Sequence, residues 1–215
     1  MRGGSSAEGG TPFVLYLVAG IIPWLFFQEG LTNATNSFLE YSYLVKKVVF
    51  DIDILPMVKL LSATVVHCFF ILFVMILFGC YGYLPSVYYL ELIYYALCLF
   101  LLILAFAYIT SSVVIFFRDL SQIVSIVLQV GVWLTPIMWE ESMLSSYSWG
   151  PTALKILKLN PVYYVVHGYR NALIRKRWFF EDPLWTLYFW LFLAASFALG
   201  TWVFNRLRGH FADVL

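Results

Sequence analysis

The sequence has few charged residues, and this argues against a water-soluble fold. Only 12% of its 215 residues are charged, whereas 62% are hydrophobic. Soluble domains carry about 25% charged residues, so this chain has too little polar surface to cover a globule of its length. The sequence therefore predicts an all-α, polytopic integral membrane protein in which residues 1–215 form a single transmembrane domain.

Three further absences narrow the range of functions. The net charge is only +1 and no basic stripe is present, so no nucleic-acid partner is expected. No phosphate-binding loop of the form Gly-x-x-x-x-Gly-Lys-Ser/Thr occurs. The cysteines are odd in number and show neither a disulfide pattern nor metal-ligand spacing: Cys68, Cys80 and Cys98. We therefore expect no cofactor, no metal and no catalytic residue on this chain.

Long apolar windows predict the membrane spans. A helix needs about 20 apolar residues to cross the hydrocarbon layer, and five windows come near that length. Lysine and arginine are divided almost equally between the two sides, so the positive-inside rule gives no orientation. The predicted spans cover about 12–28, 60–78, 87–117, 120–139 and 183–205.

The connection between the first two spans predicts an amphipathic helix at about 37–50. Ser37 and Glu40 have the spacing of a capping box, in which each side chain bonds to the backbone of the other residue. Apolar side chains then recur at helical spacing on one face. Two interpretations are open: an interfacial helix lying among the lipid head groups, or a docking helix for a partner protein.

The connection from 140 to 182 is rich in tryptophan and tyrosine, as interfacial regions of membrane proteins are. It is interrupted at Gly150-Pro151 and at Asn160-Pro161. This pattern predicts two short helices, about 152–158 and 162–174, that lie at or dip into the outer leaflet. Arg170 is either a residue that extends its charge to the interface or a gate residue that meets an anionic substrate.

Polar residues within the apolar windows are functional candidates, because an unpaired polar group is costly in lipid. On the fourth window they lie mostly on one side, facing either a conduit or a second copy: Gln122, Ser125, Gln129 and Thr135. His67 lies inside the second window, where we predict a packing or hydrogen-bonding role rather than a proton relay.

Four blocks of sequence resemble one family. They are residues 16–24, 44–50, 117–123 with 134–137, and 159–161 with 168–170. In this order they resemble the permeases of bacterial polysaccharide ABC exporters, which export O-antigen, capsule and teichoic acid polymers. Residues 50–53 depart from the family, which usually reads aromatic-Pro-Arg-Glu there. The family has a further amphipathic helix and a sixth span before the first block, so we expect an N-terminally truncated member.

The resemblance implies a multi-pass subunit of the bacterial inner membrane that moves a lipid-linked polysaccharide, such as O-antigen. Its partners are then an ABC-type ATPase dimer, which binds ATP and magnesium, a second copy of the chain, the polymer and membrane lipid. It also implies that the helix at 37–50 docks on the ATPase, through Ser37, Glu40, Lys46, Lys47 and Phe50.

Two other groups of candidate residues complete the prediction. The outer gate is assigned to Asn160, Pro161, Tyr169 and Arg170. Aromatic faces bind sugar C–H groups weakly enough to release them, and the predicted translocation path is Trp24, Tyr108, Gln122, Gln129, Trp133 and Trp139. The alternatives are an exporter of another lipid or a drug-like compound, a membrane-embedded enzyme acting on lipid-linked sugars, and a scaffold protein. The enzyme is disfavoured because the acidic residues are dispersed at segment ends.

Overall fold

The computed structural model describes residues 10–45 and 52–211, and the elements of this part of the chain are helices. Nine α-helices follow one another: α1 Phe13–Thr35, α2 Ser37–Glu40, α3 Ser42–Val45, α4 Ile54–Cys80, α5 Glu91–Val114, α6 Leu120–Leu134, α7 Gly150–Lys158, α8 Pro161–Arg170 and α9 Pro183–Leu207. A 3₁₀ turn, Val87–Leu90, precedes α5, and a π-helical turn, Asn171–Arg175, follows α8. The all-α, polytopic prediction is confirmed.

Four of the described helices are long and apolar enough to cross a membrane: Phe13–Thr35, Ile54–Cys80, Val87–Val114 and Pro183–His210. Helices α1 and α5 form the centre of the bundle, whereas α4 and α9 lie at its periphery. The outward face of α4 is correspondingly apolar and exposed at Val65, Phe69, Leu72 and Ile76. An apolar, exposed face of this kind suits contact with hydrocarbon or with another apolar helix.

The bundle has two different ends. At the connection end, the segment 36–53 joins α1 to α4, and a small apolar cluster of Phe38, Leu55, Ile115, Phe204 and Phe211 ties that segment to α9. At the opposite end, which we call the gate end, lie the turn after α4 and the whole segment 135–182. The described coupling residues Ser37 and Glu40 and the predicted outer-gate residues therefore occupy opposite ends of the molecule.

Helix α6 differs from the predicted fourth span. It ends at Leu134 rather than at Trp139 and has 15 residues, about 22 Å at 1.5 Å per residue, which is less than the roughly 30 Å of the hydrocarbon layer. Thr135 is already extended, with ψ at 131°. Pro136 follows, and a residue before proline is disfavoured in the α conformation. The chain therefore turns back at the depth of the first turns of α1.

The other helices extend beyond the predicted windows or end within them. Helix α1 continues to Thr35, seven residues past the predicted end at 28, and α4 begins at Ile54 rather than at 60. Lys59 is tolerated in α4 because its ammonium group pairs with the carboxylate of Glu40. The third helix ends at Val114 rather than 117, and α9 ends at Leu207 rather than 205.

The predicted amphipathic helix at 37–50 is interrupted. Helices α2 and α3 are separated by Tyr41, and residues 46–51 lie outside the described residues. The predicted capping box between Ser37 and Glu40 is wrong. The hydroxyl of Ser37 donates to the carbonyl oxygen of Ala34 at 2.7 Å, and Glu40 bonds to Lys59 instead of returning to the Ser37 backbone. Because Ser37 is fully buried, its hydroxyl needs a hydrogen-bond partner, and it finds one in the last turns of α1.

Candidate functional site

Arg170 is the central residue of the gate end, and it is completely buried. Its two terminal nitrogens donate to the carbonyl oxygens of Pro136 and Ile137, at 2.6 and 2.9 Å. Its guanidinium group lies 3.7 Å from the ring centroid of Tyr16 on α1. The interpretation of Arg170 as a residue extending to the interface is therefore wrong. It instead joins α8, the turn after α6 and α1.

A glycine on α1 allows this approach. A Cβ at Gly20 would lie 2.7 Å from a terminal nitrogen of Arg170, a distance that any other residue would have to relieve by moving the guanidinium group. Gly20 belongs to the first of the sequence blocks, and Arg170 to the last. The contact therefore joins the first and the last of these blocks in the folded chain.

The start of α8 is joined to the same turn. The amide oxygen of Asn160 accepts from the backbone N–H of Val162 at 3.0 Å and caps the helix, while its amide nitrogen donates to Thr135 Oγ1 at 3.2 Å. Pro161 occupies the first turn, where its missing N–H costs nothing. Thr135 is buried in this contact, so it does not share a face with Gln122 and Gln129 as predicted.

Tyr169, the fourth predicted gate residue, points elsewhere. Its hydroxyl bonds to Nε2 of His67 on α4 at 2.7 Å. The imidazole ring is buried and stacks on Phe26 with ring centroids 4.3 Å apart. The hydrogen-bonded packing role predicted for His67 is confirmed, and Tyr169 joins α8 to α4.

The predicted translocation residues separate into an exposed and a buried group. Gln122, Gln129 and Trp133 are exposed on α6, and with Ile126 they follow one another at intervals of four, three and four residues, which places them on one face. We call this face the α6 stripe. Trp139 lies beside it, half-buried, and donates from its indole nitrogen to the carbonyl oxygen of Trp133 at 3.1 Å.

Trp24 and Tyr108 do not share the α6 stripe. Trp24 is only 3% exposed, because its ring packs behind α6 against Gly131, where a Cβ would lie 2.7 Å from the indole. Tyr108 is half-buried at the connection end and packs against Phe204. Trp24 therefore belongs to the interior of this chain, whereas Tyr108 lies partly exposed at the connection end.

Two of the predicted ATPase-coupling residues, Ser37 and Glu40, lie at the connection end. Ser37 is fully buried by its own chain, and Glu40 is half-exposed in its ion pair with Lys59. Tyr43 is 58% exposed beside them. Lys46, Lys47 and Phe50 lie outside the described residues.

The sequence analysis missed a cavity at the gate end. It has a volume of about 560 Å³ and is lined in part by Tyr16, Tyr83, Glu141, Arg170, Arg175 and Arg177. The π-helical turn after α8 places Arg175 there, and Nη1 of Arg175 donates to Nε2 of His167. Burial, followed by the charge of Arg175, lowers the pKa of His167 well below its usual value. The ring is therefore neutral and able to accept. The sequence did contain one indication of this cavity, namely three arginines within eight residues, at 170, 175 and 177.

Comparison with known proteins agrees with this architecture. The sequence profile of the ABC-2 type transporter family matches residues 3–174. The chain is 26% identical to the O-antigen export system permease protein RfbA of Klebsiella pneumoniae over 207 residues, which cover 94% of this chain and 76% of the relative. It is 25% identical to the protein of the same name from Myxococcus xanthus over 209 residues, covering 94% and 75%.

Proposed function

The chain belongs to the ABC-2 type transporter family, and from this membership we propose that it is the membrane subunit of an exporter that moves a polysaccharide of the O-antigen class. The family makes it a multi-pass inner-membrane transporter subunit, which works with an ATPase, and not an enzyme. The polysaccharide is inferred from the relatives named as O-antigen export permeases, which align with 94% of the chain. ATP and magnesium are then bound by the partner.

The α6 stripe supports a polar path and a symmetric dimer. Gln122 and Gln129 are exposed on a helix that lies among apolar spans. An amide side chain facing hydrocarbon is costly, so these amides require a polar surface opposite them. Two copies placed with their stripes facing one another provide it, as expected for a homodimer with two-fold symmetry. Glutamine amides bond sugar hydroxyls, and Trp133 offers a ring face.

Restored export tests this proposal. We expect the chain, expressed with its ATPase in cells lacking their own permease of this type, to return polysaccharide to the cell surface. The same cells with an ATPase whose phosphate-loop lysine is replaced should show none. Surface polymer is measured with a carbohydrate-specific antibody. If both proteins reach the membrane and no polymer appears, the cargo is not a polysaccharide of this kind.

We infer that the connection end docks on the ATPase. Phe38 and Ser37 anchor this segment to the bundle, which leaves Glu40 and Tyr43 exposed to meet a partner. Movement of the ATPase dimer would then be transmitted directly to α1 and α4, because the segment joins them.

Removing the two lysines of this segment should weaken docking. For K46A/K47A we expect about tenfold less ATPase retained on co-purification from detergent, since rim charges steer and hold such interfaces. The matched control is K155A/K158A, which removes two exposed lysines from α7 at the gate end. Equal retention by both double variants would place the docking surface elsewhere.

A further inference from the structure

The gate-end cavity carries an excess of positive charge. Of its lining residues, Arg170, Arg175 and Arg177 are cationic and Glu141 alone is acidic. One carboxylate can neutralise one guanidinium group, and Glu141 lies 4.0 Å from Arg175. Cationic side chains therefore outnumber acidic ones in the lining by three to one.

The three guanidinium groups are held in different ways. Arg170 uses both terminal nitrogens on backbone carbonyls, but its buried Nε has no hydrogen-bond partner among the described residues. Arg175 is positioned by His167 and by the side chain of Asn171, at 3.4 Å. Arg177 is exposed at the rim. A buried donor without a partner is costly, so the guanidinium group of Arg170 keeps unused hydrogen-bonding capacity.

We propose that this cavity binds the phosphate group of an anionic membrane lipid. Planar guanidinium groups match phosphate oxygens and form charge-assisted hydrogen bonds with them. The volume of about 560 Å³ lies within the range of small-molecule pockets, roughly 300–1,000 Å³. This site is separate from the α6 stripe and does not depend on the identity of the cargo.

The position of the cavity indicates a lipid rather than a free ion. It lies where α1 begins and α4 ends, beside Tyr16 and Tyr83. Lipid head groups lie at this level of a membrane protein, and aromatic residues concentrate there. Ile174 adds an apolar wall, against which the upper part of an acyl chain can lie.

Lipid titration of the purified full-length chain tests the site. Short-chain phosphatidic acid should bind more tightly than phosphatidylcholine with the same acyl chains, and R177Q should weaken its binding about tenfold, as loss of one charge-assisted contact does. The control K155Q, an exposed charge on α7 outside the cavity, should bind like the wild type. Binding is followed by native mass spectrometry and by the rise in melting temperature.

A second variant, E141Q, should change lipid binding in the opposite direction from R177Q. E141Q removes the competing carboxylate, so we expect binding about threefold tighter than the wild type; a merely misfolded variant would not bind more tightly. Equal binding of phosphatidylcholine, or no difference between R177Q and K155Q, would overturn the site. Glycerol phosphate or inorganic phosphate binding as tightly as phosphatidic acid would overturn the lipid as its ligand.

Discussion

Replacing Arg170 by methionine is expected to remove most of the folded protein. The change leaves the carbonyl oxygens of Pro136 and Ile137 buried and unpaired, at about 1–3 kcal/mol each, and it also removes the stacking on Tyr16, worth roughly 1–2 kcal/mol. Together these terms are about 3–8 kcal/mol, which is a large part of a typical folding free energy of about 5–15 kcal/mol.

Lysine at position 170 should restore the stability of the protein only in part. Its single ammonium group lacks the planar fork that reaches two carbonyls at once, so R170K should melt between the wild type and R170M. The control is R206M, which removes an exposed arginine from α9 at the connection end. Monodisperse yield and melting temperature in detergent measure the effect. A melting temperature for R170M equal to that of R206M would show that the gate end does not depend on this residue.

The same residue shows where sequence reasoning reaches its limit. The early stop of α6 has a local cause, since Pro136 is visible in the sequence and disfavours helix before it. The contact that holds the turn is not local, because Arg170 lies 33 residues after Ile137. An arginine in an aromatic segment fits both an exposed and a buried position, and only the packing of α8 on α1 decides between them.

Ser37 and the two tryptophans illustrate the same limit. The spacing of Ser37 and Glu40 matches a capping box. Ser37 instead donates to Ala34 O of the preceding helix, and Glu40 pairs with Lys59 of α4. Trp24 and Trp133 both lie in apolar windows. Gly131 admits the ring of Trp24 to the interior, whereas Trp133 stays 65% exposed. Composition was sufficient to predict that the helices exist. Which face of each helix is buried depends on the neighbouring helices and could not be predicted from composition.

Replacing Trp133 by alanine is expected to reduce polysaccharide export about tenfold without lowering the melting temperature. The side chain is 65% exposed and packs little against its own chain, so its removal costs the fold little. In the proposed dimer its ring face lies in the path of the polymer. Loss of one aromatic contact worth about 1.4 kcal/mol in the rate-limiting step changes a rate tenfold.

A matched tryptophan separates this role from a general membrane effect. Trp202 on α9 is also 65% exposed, but it lies at the periphery of the bundle, so W202A should export at the wild-type rate. W133F keeps a ring face and should retain most of the activity, whereas Q129L should lose activity because its amide is replaced by an apolar group of similar size. Export is measured as surface polymer at equal amounts of permease in the membrane. If W133A and W202A export equally, the α6 stripe faces lipid, and the path must be sought on another face of the bundle.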